Sequence, residues 1–175
     1  MIALTPWFER KFHFDFPVHL FPVIFSRLEG SIFRLHVLLQ NADEEQCSYN
    51  ADGWSVKEHI GHLFDLEELW WKRLNDFTEG RKELSSADPN NTRTKEAGHN
   101  EKTLEQLVQL FSVERQKILE TIFDFDETTL SLTSVHPRLQ LPMRLIDSLY
   151  FVAEHDDHHI SHISSLLRTP SAFPR

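Results

Sequence analysis

The chain has 175 residues, 40% hydrophobic and 26% charged, with a formal net charge of −9. That is enough for one domain with a proper core, and the acidity excludes nonspecific attraction to nucleic acid or an anionic membrane. Five glycines, no GxGxxG, Walker-type loop or GxSxG, and a single cysteine exclude a glycine-cradled phosphate site, an internal disulfide and a thiolate zinc cluster.

The chain opens with Phe12, Phe14 and Phe16 alternating with His13 and Asp15. This strand-like period predicts an arm over residues 1–17, laid across the rest of the protein or across a partner subunit. A first helix follows Phe21-Pro22, since proline is acceptable in an opening turn. Val23, Phe25, Leu28, Ile32, Leu35, Val37, Leu38 and Leu39 carry it to about Asn41. The acidic run Asp43-Glu44-Glu45 then reads as a solvated loop, and beside it Cys47 has no feature of a nucleophile.

The second helix starts at Ser55, where Glu58 three residues on completes a capping box. Val56, Ile60, Leu63, Phe64, Trp70 and Leu74 recur at helical spacing to about Phe77. Trp54, Trp70 and Trp71 read as core. Thr78 to Glu101 is polar and turn-rich. A connection this long suits a crossover that leaves helices two and three parallel.

The third helix runs from Lys102 or Thr103 to Phe123 on a stripe of Leu104, Leu107, Val108, Phe111, Ile118, Leu119 and Ile122. Between Asp124 and Leu141 a short extended pair is expected, Leu130 to Val135 against Arg138 to Leu141. The fourth helix follows Pro142 with Leu145, Leu149, Val152, Ile160, Ile163, Leu166 and Leu167, and Pro170 lies beyond its end. The fold expected is all-α, a four-helix bundle over 18–169, with a tail at 170–175. No window approaches the roughly 18 apolar residues of a membrane span, so a cytoplasmic protein is expected.

The fourth helix carries the densest chemical signal. His155, His158, His159 and His162 place four of the eleven histidines in eight positions, where the chain-wide frequency allows roughly half of one. Imidazole is the commonest protein ligand of zinc and nickel. At about 100° per residue, His155 and His159 border the apolar stripe, while His158 and His162 turn towards water. The i, i+4 separation of His155 and His159 lets two imidazoles share a metal, and a facing helix must complete the set. Helix two offers His59 and His62, between which spacing does not decide. Asp156 falls near the middle of the stripe and needs a partner: a backbone or indole N–H, or an imidazole. Asp65, one turn after His62, is placed to orient a histidine or to line the pocket. Asp65 and Asp156 are therefore the candidate acid–base groups. A di-iron carboxylate bundle would need inward ExxH motifs, whereas Glu58-His59 and Glu154-His155 are adjacent pairs.

Gly53-Trp54-Ser55-Val56-Lys57-Glu58, with His62-Leu63-Phe64-Asp65 after it, resembles the helix-two signature of the DinB/YfiT-like metalloprotein superfamily. His155-Asp156-Asp157-His158-His159-Ile160 resembles its helix-four signature, and His136-Pro137 is similar to one branch of it. The resemblance implies an up-down-down-up bundle and metal ligands at His62, His155 and His159, not His59. It implies zinc or nickel, a homodimer, and an open coordination position. Some members of that superfamily are transferases or isomerases using a small thiol, mycothiol or bacillithiol. The chain departs from the nearer branch with Glu154, where an aromatic can stand, and with its phenylalanine-rich arm. The function expected is a metal-dependent hydrolase or small-thiol S-transferase acting on a small molecule. The alternative is a non-catalytic, stress-associated metal-binding bundle. A water-accessible coordination position beside a pocket separates the two.

Overall fold

The computed structural model describes residues 4–168 apart from Asp52, so the expected tail at 170–175 lies outside the described residues. In chain order the elements are α1 (Phe21–Leu39), α2 (Val56–Thr78), α3 (Thr92–Glu96), α4 (Leu104–Ile122), α5 (Glu127–Leu130), β1 (Thr133–His136), β2 (Leu141–Arg144) and α6 (Leu145–Arg168). α1, α2, α4 and α6 are the bundle, and no described helix is long and apolar enough to cross a membrane.

Local chemistry fixes where the helices begin. Ser55 accepts from Glu58 N, and the Glu58 side chain accepts from Ser55 N, closing the expected box at the start of α2. Thr103 and Gln106 do the same for α4. Each box satisfies amide donors that a helix start leaves open.

Two apolar clusters reveal the chain directions. One collects Ile24 and Leu28 of α1, Leu74 and Phe77 of α2, Ile118 and Ile122 of α4, and Leu145 and Leu149 of α6. The other collects Leu35, then Val56 and Ile60, then Leu104 and Leu107, then Ile160 and Ile163. The starts of α1 and α6 thus share one end of the bundle with the finishes of α2 and α4. α1 and α6 run one way, α2 and α4 the other, which is the up-down-down-up order. The crossover leaves α2 and α4 parallel, as the long connection implies.

Between the clusters lies a buried polar layer. Arg115 of α4 binds Glu67 of α2 through Nη2 at 2.6 Å and through Nε at 3.1 Å. It binds Asp156 of α6 through Nη1 at 2.5 Å and through Nη2 at 3.1 Å, and Ser31 of α1 adds a hydroxyl to Asp156 at 2.7 Å. Asp156 is inside, as its face requires, but its partner is a guanidinium, not an amide, indole or imidazole. Burial pushes the Glu67 carboxyl up to about 7.

The extended pair lies about three residues later than expected. β1 and β2 pair antiparallel, Thr133 opposite Arg144 and His136 opposite Leu141. Leu130 is not available to a strand because Asp126 caps the short α5 that contains it. β1 also exchanges hydrogen bonds with Lys82 and Leu84, which leaves β2 on the edge, where Pro142 removes no needed donor.

Residues 4–16 lie over α6. Trp7 packs edge-on to Phe151 and His155, with ring centroids 5.0 and 4.9 Å away. Arg10 binds the Glu154 carboxylate and its carbonyl. Arg144 donates to the carbonyls of Phe14 and Phe16 at 3.1 and 2.9 Å.

Candidate metal centre

His62 of α2 meets His155 and His159 of α6 at the middle of the bundle. One ring nitrogen from each lies within 4.8 Å of the others. Ring centroids are 4.8 Å apart for His62 and His159, 5.3 Å for His62 and His155, and 4.4 Å for His155 and His159. The Nε2 atoms of His155 and His159 face each other at 3.1 Å. All three rings are buried.

Burial also decides their charge. It pushes His62 down to about 4, and pushes His155 and His159 well below the usual imidazole value, with neighbouring histidines adding to the effect. Three neutral imidazoles present lone pairs, which suits a divalent transition-metal ion. The trio therefore fits a divalent metal by its donor chemistry, with His62, His155 and His159 as the residues to hold it.

The surrounding bonds orient two of the rings. Thr94 Oγ1 donates to Asp65 Oδ2 at 2.8 Å, so it is left to accept from His62 Nδ1 at 3.0 Å. That places the His62 proton on Nδ1 and leaves the Nε2 lone pair for the centre. His99 Nε2 also meets Asp65 Oδ2 at 2.8 Å, and Arg93 Nε lies 3.3 Å from Oδ1. Burial alone would raise the Asp65 carboxyl, but bonds from His99 and Thr94 and the charge of Arg93 hold it low. His59, the other histidine that α2 offers, lines the cavity beside the trio but is not one of the three whose ring nitrogens converge. Its Nδ1 lies 2.9 Å from Nδ1 of His159.

The trio lines a cavity of about 510 Å³ bounded by Trp7, Trp54, Trp70, Phe151, Arg73 and His136, among others. Neither expected acid–base carboxylate lines it. Asp65 lies behind His62 and acts through Thr94, while Asp156 is spent on Arg115 and Ser31. The one carboxylate at its wall among the described residues is the exposed Asp88, which accepts from the amides of Asn90 and Thr92. His158, expected to face water, is buried against Trp7 and lines the cavity, and its Nδ1 has no hydrogen-bond partner. A helical wheel places His158 correctly on its helix but cannot know that an arm covers that flank. Thr94 and His99 sit in the polar crossover and had no local signal at all.

The sequence profile of the DinB superfamily matches residues 27–163. No curated protein matches the chain. Among solved structures, YfiT from Bacillus subtilis, described as a probable metal-dependent hydrolase with an unusual four-helix bundle topology, is similar with a TM-score of 0.78. It shares 17% identity, over 91% of this chain and 93% of that one. The mycothiol-dependent maleylpyruvate isomerase follows at TM-score 0.67 and 10% identity, covering 85% of this chain and 63% of the isomerase. At these identities the likeness concerns the fold.

Proposed function

The chain belongs to the DinB superfamily, and from that membership and its own histidines we propose that it is a metal-dependent enzyme acting on a small molecule. One observation carries the reading: three buried, neutral imidazoles converge on the wall of a cavity large enough for a metabolite-sized ligand. Three protein ligands with room beside them are the pattern of a catalytic ion, whereas a structural zinc is closed by four. Zinc or nickel in that position would supply Lewis acidity and ease deprotonation of a coordinated water or thiol.

The chain's own groups supply the rest. His62 is held in one tautomer by Thr94, His159 is backed by His59, and Trp7 with Trp54 shields the rings from bulk water. With Asp65 and Asp156 engaged elsewhere, His158 is one of the imidazoles outside the trio that line the cavity and are available to exchange a proton there. Two reaction types fit, hydrolysis and transfer of a small thiol such as bacillithiol to an electrophile. Among the fold relatives, YfiT is described as a probable metal-dependent hydrolase and the isomerase as mycothiol-dependent, which supports considering both.

Metal content of the purified chain by mass spectrometry tests the reading. Wild type should hold about one equivalent of a divalent transition metal, His155→Ala and His159→Ala should lose it while staying helical, and His158→Ala should keep it. Equal loss in all three variants would defeat the assignment. Loaded protein would then be assayed against ester and amide substrates, and against electrophiles with added thiol.

A further inference from the structure

The cavity has a second chemical feature, away from the histidine trio. Arg73 of α2, His136 of β1 and Arg138 of the following turn line the same space. The Trp70 indole separates this group from the centre, 5.8 Å from the His155 ring on one side and 5.3 Å from the Arg73 guanidinium on the other. Arg73 is buried, yet no carboxylate forms an ion pair with it among the described residues. Its Nε donates to the Ser85 carbonyl at 2.9 Å, while nearby Asp76 is taken by the Ser85 amide and Arg81. Arg138 lies over the rings of Phe8 and Phe151 and likewise forms no ion pair among the described residues.

His136 sharpens the point. Its Nδ1 accepts from the amides of Arg138 and Leu139, both at 3.2 Å. A neutral imidazole accepting there carries its proton on Nε2. That Nε2 faces Arg73 Nη1 at 3.2 Å, so a donor meets a donor. Two buried donors aimed at one place, with an unpaired guanidinium beside them, lack an acceptor. Asp88 does not provide it, being exposed and already bound to two amides.

We propose that Arg73, His136 and Arg138 form a carboxylate-binding subsite, which anchors an organic acid whose far end reaches the histidine centre. One carboxylate oxygen accepts from Arg73 Nη1 and His136 Nε2 together, and Arg138 closes over the second. The walls between the two ends, Trp7, Trp70 and Phe151, suit an apolar or flat carbon body. The subsite therefore names the substrate class of the proposed enzyme. Its reach to a reactive centre rests on the metal reading, whereas its affinity for a carboxylate does not.

The test is a titration of the full chain with 3-phenylpropionate and with its neutral amide, 3-phenylpropanamide, followed by NMR, with chelator present and again with zinc. The acid should bind at least about tenfold more tightly than the amide under both conditions. Arg138→Gln, at an exposed position that the core does not use, should remove most of that preference, and Arg73→Gln should do so wherever it folds. Failure of the acid to bind, equal binding of acid and amide, or no effect of Arg138→Gln would overturn the proposal. So would binding seen only with zinc and indifferent to Arg138, because the carboxylate would then be a metal ligand. Arg138-dependent binding in a chain that takes up no zinc would uphold the subsite and sink the metal reading.

Discussion

Thr94 shows how much a single hydroxyl can settle. With one proton to give, it donates to Asp65 and must accept from His62, which fixes the tautomer of the imidazole that α2 brings to the trio. Thr94→Val keeps the shape and removes the acceptor. Divalent metal affinity should fall by roughly 10- to 100-fold, the usual consequence of losing such an orienting bond. Competition against a chromophoric chelator measures it, and an unchanged affinity would mean that packing alone orients His62. Residue types and spacing made the α6 pair visible, because i, i+4 is helix geometry, but they left His59 and His62 open on α2, and only the family resemblance pointed to His62. The orienting shell was hidden, since Thr94 and His99 reach Asp65 only after a crossover of more than twenty residues has folded back. Arg115 lay in plain sight on its apolar stripe, four residues after Phe111 and three before Ile118. A charge on such a stripe demands an opposite partner, and Asp156 had the same need on α6.

At the scale of elements, the approach of the crossover to α2 depends on a glycine. A methyl group at Gly61 would fall 2.2–2.4 Å from ring atoms of His99. The missing Cβ is what lets the 3-10 turn at His99–Glu101 lie against α2 and deliver His99 to Asp65. Gly61→Ala therefore sets two effects against each other. Helix propensity gains about 1 kcal/mol, while overpacking costs about 1–3 kcal/mol and loss of a charge-assisted bond about 1.5–3 kcal/mol. The variant should be destabilised by about 1.5–5 kcal/mol in urea unfolding, and a more stable variant would show that the turn can slide freely. The arm obeys a similar logic. Glu154, which stands where the resemblance allows an aromatic, binds Arg10 of the arm and Arg27 of α1, so that departure and the arm form one device. Either alone read as an oddity. The hairpin was placed early for a local reason as well, since the cap at Asp126 draws Leu130 into α5 before β1 begins.

For the molecule as a whole, six neutral histidines held in one region tie stability to pH. His59 and His136 are pushed to about 3 and His62 and His158 to about 4, burial being the first cause each time, and His155 and His159 go lower than their usual value for the same reason. The unfolded chain protonates its histidines near pH 6.5 while the folded chain does not, so between about 6.5 and 4 the unfolded state binds more protons. Stability supplied by these groups is complete above that window and drains away as pH falls through it. Glu67 runs the other way, because the folded chain keeps its proton up to about 7 where the unfolded chain has lost it. One group opposes six. Urea midpoints of the metal-free chain should therefore fall steeply from pH 7 to pH 5, well above the range where most carboxylates titrate. A bound divalent ion favours the folded state by mass action and is released by the same protons, so the slope should steepen when metal is present and in excess. A flat profile between pH 7 and pH 5 in the metal-free chain would mean that water reaches these rings freely, and the dry, neutral donor set on which the proposed centre depends would be lost with it.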